Sequence, residues 1–95
     1  MVVSLFLMCG KYNSASLKEI NPERTEKAKT LIEENGGKIK AGYALLGDMD
    51  LLLVVDFPKM KSVIKTSVEM SNVLGINFST IPAITIDDFD KLFEG

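Results

Sequence analysis

The chain has 95 residues, of which 46% are hydrophobic and 25% charged, with 11 basic and 13 acidic side chains and a net charge of −2. That is sequence for one globular domain, 1–95, neither disordered nor carrying the basic surplus that binds a nucleic-acid backbone. The absence of histidine excludes every His-based triad, general base and metal site, and a single cysteine cannot form an intramolecular disulfide.

The opening run from Val2 to Tyr12 is rich in β-branched and aromatic residues and predicts a first strand. It has no Lys or Arg before it and no small-residue cleavage site after it, so it does not read as a signal peptide. It is also far short of the ~20 apolar residues of a membrane span. A cytoplasmic protein with no membrane partner is the expectation. Asn13 to Ser16 is a polar loop, and Leu17 to Ile20 has room for one helical turn. Asn21-Pro22 then opens a helix: Asn caps well, and Pro at the first helical position gives up an N–H that has no partner there. Glu23 suits the positive end of the helix dipole, and Ala28, Leu31 and Ile32 form a narrow apolar stripe. Asn35-Gly36-Gly37 stops the helix.

Lys38 to Leu46 alternates, with Ile39, Ala41, Tyr43 and Leu45 expected on one face of a second strand. Gly47 to Asp50 is a tight connection to a third strand, Leu51 to Phe57, giving an antiparallel hairpin closed by Pro58. Lys59 to Leu74 predicts a second helix, with Met60, Val63, Ile64, Ser67, Val68, Ser71 and Leu74 as its core stripe. Gly75 caps it. A fourth strand is expected over Ile76–Ile86, with Pro82 pointing to an edge or a bulge. A short helix over Asp87–Phe93 follows, capped by Thr85 or Asp87.

The order β-α-β-β-α-β predicts an α+β, ferredoxin-like sandwich: a four-stranded antiparallel sheet with two helices on one face. In the third strand Leu51, Leu53, Val55 and Phe57 point one way and Leu52 and Val54 the other, while Leu5, Leu7 and Cys9 oppose Phe6 and Met8 in the first. Two helices cover one face only. The other needs a cover, and the simplest is the same sheet of a second copy related by a two-fold axis, so a homodimer or a higher even-numbered oligomer is expected.

The residues also resemble the GYD family, small bacterial and archaeal proteins of the dimeric α/β-barrel superfamily. The resemblance runs nearly end to end. It rests on Leu17-Lys18-Glu19-Ile20 with Pro22-Glu23-Arg24, Gly36-Gly37-Lys38, the hairpin Leu46-Gly47-Asp48-Met49-Asp50, Leu74-Gly75, and Ala83 with Asp88-Phe89. Gly47 and Asp50 match the residues that name the family, and Met49 stands where the family often has an aromatic. The resemblance implies the fold and the pairing of two sheets into a dimeric α/β barrel. It implies no assigned activity, since superfamily members include cofactorless monooxygenases, isomerases, haem enzymes and ligand-sensing regulatory domains.

The candidate ligand-binding residues are Lys11, Tyr12, Tyr43 and Asp50. The two tyrosines, expected on neighbouring strands, would line a cleft between sheet and helices. Asp50 begins a strand and would point inward. Asp48 and Asp50 together read as turn chemistry, because two carboxylates do not fill the oxygen shell of Mg²⁺ or Ca²⁺. The acidic end Asp87, Asp88, Asp90 and Glu94 reads as a capped, solvated helix. Cys9 reads as a buried structural cysteine, with no histidine to activate it. Gly10-Lys11 lacks the spacing of a phosphate loop, and Lys38 and Lys40 read as a solvated strand edge. No metal and no cofactor is expected. The composition therefore points to a homo-oligomeric domain that binds a small molecule or serves as an accessory subunit. The alternative, which the superfamily resemblance implies, is a cofactor-independent monooxygenase or isomerase acting on an aromatic or lactone-like substrate, with Tyr12, Tyr43 and Asp50 as its candidate residues.

Overall fold

Seven elements follow one another in the computed structural model, which describes residues 5–13, 18 and 21–94. They are β1 (Leu5–Tyr12), α1 (Pro22–Glu34), β2 (Lys38–Ala44), β3 (Leu51–Asp56), α2 (Met60–Leu74), β4 (Ile76–Ala83) and α3 (Ile86–Lys91). The expected strand residues 2–4 and most of the turn at 17–20 lie outside the described residues; within that turn Lys18 is helical and exposed.

The four strands form one antiparallel sheet in the order β2-β3-β1-β4. The fold is ferredoxin-like, with β1 and β3 inside and β2 and β4 at the edges. Pro82 therefore stands in an edge strand, the position a residue without an N–H tolerates. The strand ends earlier than its apolar run suggests. Thr85 takes over as a helix cap, its hydroxyl accepting the N–H of Asp88 at 3.1 Å, and Ile86 opens α3 instead of closing β4.

Strand alternation builds the core. Phe6 and Met8 of β1, Leu53 and Val55 of β3, Phe57 beyond it and Ile76 of β4 face the helices and are buried. Ala28 and Ile32 of α1 and Val63, Met70 and Leu74 of α2 close over them, with Leu31 packed at the margin. Each such side chain contributes roughly 1.5–3 kcal/mol by leaving water. Thr66 is the one buried polar residue in this layer among the described residues, and its hydroxyl donates to the Ser62 carbonyl at 2.7 Å. Gly37 lies under the ring of Phe57 so closely that a Cβ there would collide with it.

The caps act as expected. Asn21 Oδ1 accepts the N–H of Arg24 at 3.1 Å, and Gly75 ends α2 in the left-handed conformation at φ 67°. Asn35 ends α1 and also donates to Glu69 Oε1 of α2 at 2.9 Å, tying the two helices together.

Two sequence expectations need correction. The stripe along α2 is not all core: Val63, Thr66, Met70 and Leu74 are buried, while Met60, Ile64 and Val68 are more than half exposed. A three-to-four residue period fits two adjacent rows of a helix, and the more apolar row is the one turned outward. The alternation in β2 also breaks. Its pairing with β3 shifts between Ile39 and Ala41, so Ile39 lies opposite Val55 on the helix side while Ala41 and Tyr43 lie opposite Val54 and Leu52 on the far side. A β-bulge inserts one residue and turns every later side chain over.

The far face is left open. Leu5, Leu7 and Cys9, with Leu52 and Val54, are only partly buried there, and Ile81 of β4 is half exposed. Cys9 is thus not buried as expected but sits on this face, opposite Leu52 and Ser79. The chain is 18 Å through its thinnest direction. That matches about one sheet and one helix layer.

Candidate functional site

A cleft opens at one end of the helix-covered side, where the last residues of β1 meet the first turns of α1. Pairing places its floor: Tyr12 lies opposite Ile76, and Gly10 lies opposite both Leu51 and Phe78. Gly10 brings no side chain to this floor, and the Phe78 ring occupies the space, 2.9 Å from where a Cβ would stand. Leu53 and Leu74 complete the apolar wall. From α1 come Asn21, Arg24, Thr25 and Ala28, one helical face at three- and four-residue spacing. The space is about 90 Å³. A water needs about 10–15 Å³ on the same measure, so the cleft has room for several waters or a small organic molecule.

Its polar groups gather at the mouth. The Arg24 guanidinium lies over the Tyr12 ring, 4.8 Å from the centroid, a cation–π contact. Tyr12 is fixed from behind: its N–H donates to Asp50 Oδ2 at 2.9 Å. The ladder between β1 and β3 ends at the pair Gly10 and Leu51, so the Asp50 carboxylate supplies the acceptor that the next residue of β3 would have given. The Asp50 N–H donates to the Gly10 carbonyl at 2.9 Å, and its carbonyl accepts the N–H of Leu45 at 2.8 Å. Lys11 Nζ donates to the Asp48 carbonyl at 2.7 Å. Together these bonds lace the hairpin tip to the end of β1.

Three of the four candidate residues therefore come together. Tyr12 lines the cleft, and Lys11 and Asp50 hold the strand that carries it. Tyr43 does not join them. Two facts correct the expected tyrosine pair: β2 is separated from β1 by β3, and the bulge turns Tyr43 to the open face, where it is 55% exposed. The Asp50 carboxylate accepts the Tyr12 N–H of β1 and does not line the cleft. Arg24, Asn21 and Thr25 were not singled out as site residues in the sequence. The signal for them was their common helix face, next to a cap whose role was already legible. Among the described residues no three Cys, Asp or Glu side chains converge as a metal site would require, and no helix is long and apolar enough to cross a membrane.

Fold and cleft define a ferredoxin-like α+β domain whose sheet is finished on one face and whose helix layer leaves a small apolar cleft. The sequence model of the GYD domain family matches residues 3–93, and the chain belongs to that family. No curated protein matches the sequence. Among solved structures the fold is similar to that of the leucine response regulatory protein of Mycobacterium tuberculosis, with 7% identity and a TM-score of 0.58 over 88% of this chain and 52% of that one. An AsnC family transcriptional regulator from Agrobacterium tumefaciens gives 17% identity and a TM-score of 0.57 over 88% and 52%. A feast or famine regulatory protein from M. tuberculosis, complexed with L-methionine, gives 8% and 0.57 over the same shares. The chain spans about half the length of these proteins, and at such identities the likeness is one of fold.

Proposed function

We propose that this chain is a small-molecule-binding domain that works as a homodimer, its open sheet face packed on that of a second copy. The cleft beneath α1 carries the binding half of this reading. It joins an apolar floor to a few polar groups at one mouth, the usual make-up of a small-ligand site. Its size suits a compact ligand with an apolar body, and Arg24 and Asn21 offer the polar end its orientation. A solved neighbour of similar fold is complexed with L-methionine, a molecule of that build. The dimer half rests on Leu5, Leu7, Leu52, Val54 and Ile81, an apolar face that the chain's own helices leave open.

The enzyme reading is the weaker one. Among the described residues the cleft is lined by Tyr12 and Arg24 but by no carboxylate, and Asp50 is engaged with the Tyr12 N–H of β1. A monooxygenase or isomerase would need its base from outside these residues.

Thermal unfolding in the presence of a panel of small amino acids and apolar carboxylates tests the binding half, with native mass spectrometry of untagged protein beside it. A ligand that raises Tm for the native chain and not for Ala28→Leu, which fills the cleft, supports the site. Bare mass together with an unmoved Tm across the panel would remove it. A monomer at micromolar concentration would remove the dimer.

A further inference from the structure

A second apolar surface lies away from the cleft, on the outer side of α2. Met60, Ile64 and Val68 recur every four residues and are 53%, 57% and 56% exposed. With Phe6 of the inner strand β1, and Thr80 and Pro82 of the edge strand β4, they line a groove of about 240 Å³ between α2 and β4. Ser67 and Thr80, whose hydroxyls lie 2.9 Å apart, bridge its floor. The charges beside it are of one sign. Lys61 and Lys65 fall on the solvent flank of the Ile64 row at 100° per residue. The one acid of α2, Glu69, lies one turn beyond Lys65, farther from the Ile64 row, and its carboxylate accepts from Asn35 of α1.

The C-terminal segment carries the complementary surface. No residue of α3 is buried, and Ile86, Phe89, Leu92 and Phe93 are all exposed. The rings of Phe89 and Phe93 lean together with centroids 5.2 Å apart, forming one apolar ridge. Asp87, Asp88, Asp90 and Glu94 flank it with only Lys91 in opposition. An apolar ridge with an acidic border and an apolar groove with a basic border match in both shape class and charge.

We propose that the segment Ile86–Glu94 of one copy docks in the groove between α2 and β4 of a second copy. Phe89 and Phe93 fill the groove, and the acidic border meets Lys61 and Lys65. The tether explains why the segment does not fill the groove of its own chain. Only Ile84 and Thr85 separate β4 from α3, at most ~7 Å of chain. Thr85 is already committed to capping α3, and among the described residues α3 makes no extensive contact with any other element of its own chain. A segment that finds its site only on an identical neighbour is the arrangement of an exchanged arm.

Mixed cross-linking tests this. Two full-length variants are made in a Cys9→Ser background, Ile64→Cys and Phe89→Cys, one of them carrying a mass tag. Both new thiols replace exposed side chains, so the fold is kept, and circular dichroism checks it. The proposal expects the mixed disulfide dimer to outnumber both self-pairs after equilibration and mild oxidation. An absence of mixed dimer overturns it. So does a double variant, Ile64→Cys/Phe89→Cys, that cross-links within one chain. Charge gives an independent readout: Lys61→Glu/Lys65→Glu should abolish the mixed cross-link, and adding Asp88→Lys/Asp90→Lys to the Phe89→Cys partner should restore it. A cross-link indifferent to both charge reversals would overturn the assigned orientation.

Discussion

The two faces of the sheet are made of the same strands and differ in one respect, which face the helices reach. On the helix side Met8 and Val55 are fully buried, and the polar groups are either bonded or kept at the margin. On the open side their immediate neighbours Leu7 and Val54, one residue along each strand, are nearly as apolar and stay partly in water. The first face is completed by local chain and fixes the fold. The second is left open by the described helices of this chain. What separates the closed face from the open one is therefore connectivity, not composition.

Substitutions on the two faces should separate these roles. The largest effect is expected at Phe57, fully buried against Gly37: Phe57→Ala should cost about 3–5 kcal/mol in denaturant unfolding, as truncation of a core aromatic does. A small loss there would mean the helix layer is looser than its packing indicates. Gly37→Ala should cost about 1–3 kcal/mol, because the added methyl runs into the Phe57 ring and overpacks the core. Val54→Lys on the open face should leave the circular dichroism spectrum intact and halve the mass seen by sedimentation. A retained dimer mass would show that the two faces do not divide as described. The smallest effect is expected at the cap, where Asn21→Ala should lower stability by about 1 kcal/mol and leave the dimer mass unchanged.

Much of the fold was legible because its signals are local. Asn21-Pro22 and Gly75 mark helix ends by backbone chemistry alone, and the two-sided apolar pattern of 51–57 announced both faces of the central strands. Three features were not legible. The bulge after Ile39 leaves no trace in an alternating sequence, yet it moves Tyr43 to the other side of the sheet. The rows of α2 differ in burial while both carry apolar residues, so the buried row, which includes Thr66, was hidden behind the more apolar exposed one. The cleft depends on Arg24 reaching Tyr12 across some twelve residues of sequence, and side-chain contacts of that kind follow from the packing of α1 on the sheet. Asp50 is aimed elsewhere than expected, since a carboxylate at a strand start has two competing uses and its Oδ2 accepts the Tyr12 N–H.

Both rims of the sheet are poor templates for a further strand. At one rim stands Pro82, which has no amide hydrogen to offer an incoming chain. At the other, β2 is irregular around Lys40, and its charged side chains disfavour a dry seam. Lateral addition of strand to strand has no natural stopping point, and it is the route by which small β-rich proteins grow into fibrils. Face-to-face packing, by contrast, saturates with one partner. Under the proposed pairing, blunted rims beside an apolar face leave that face as the contact that limits assembly to a finite size.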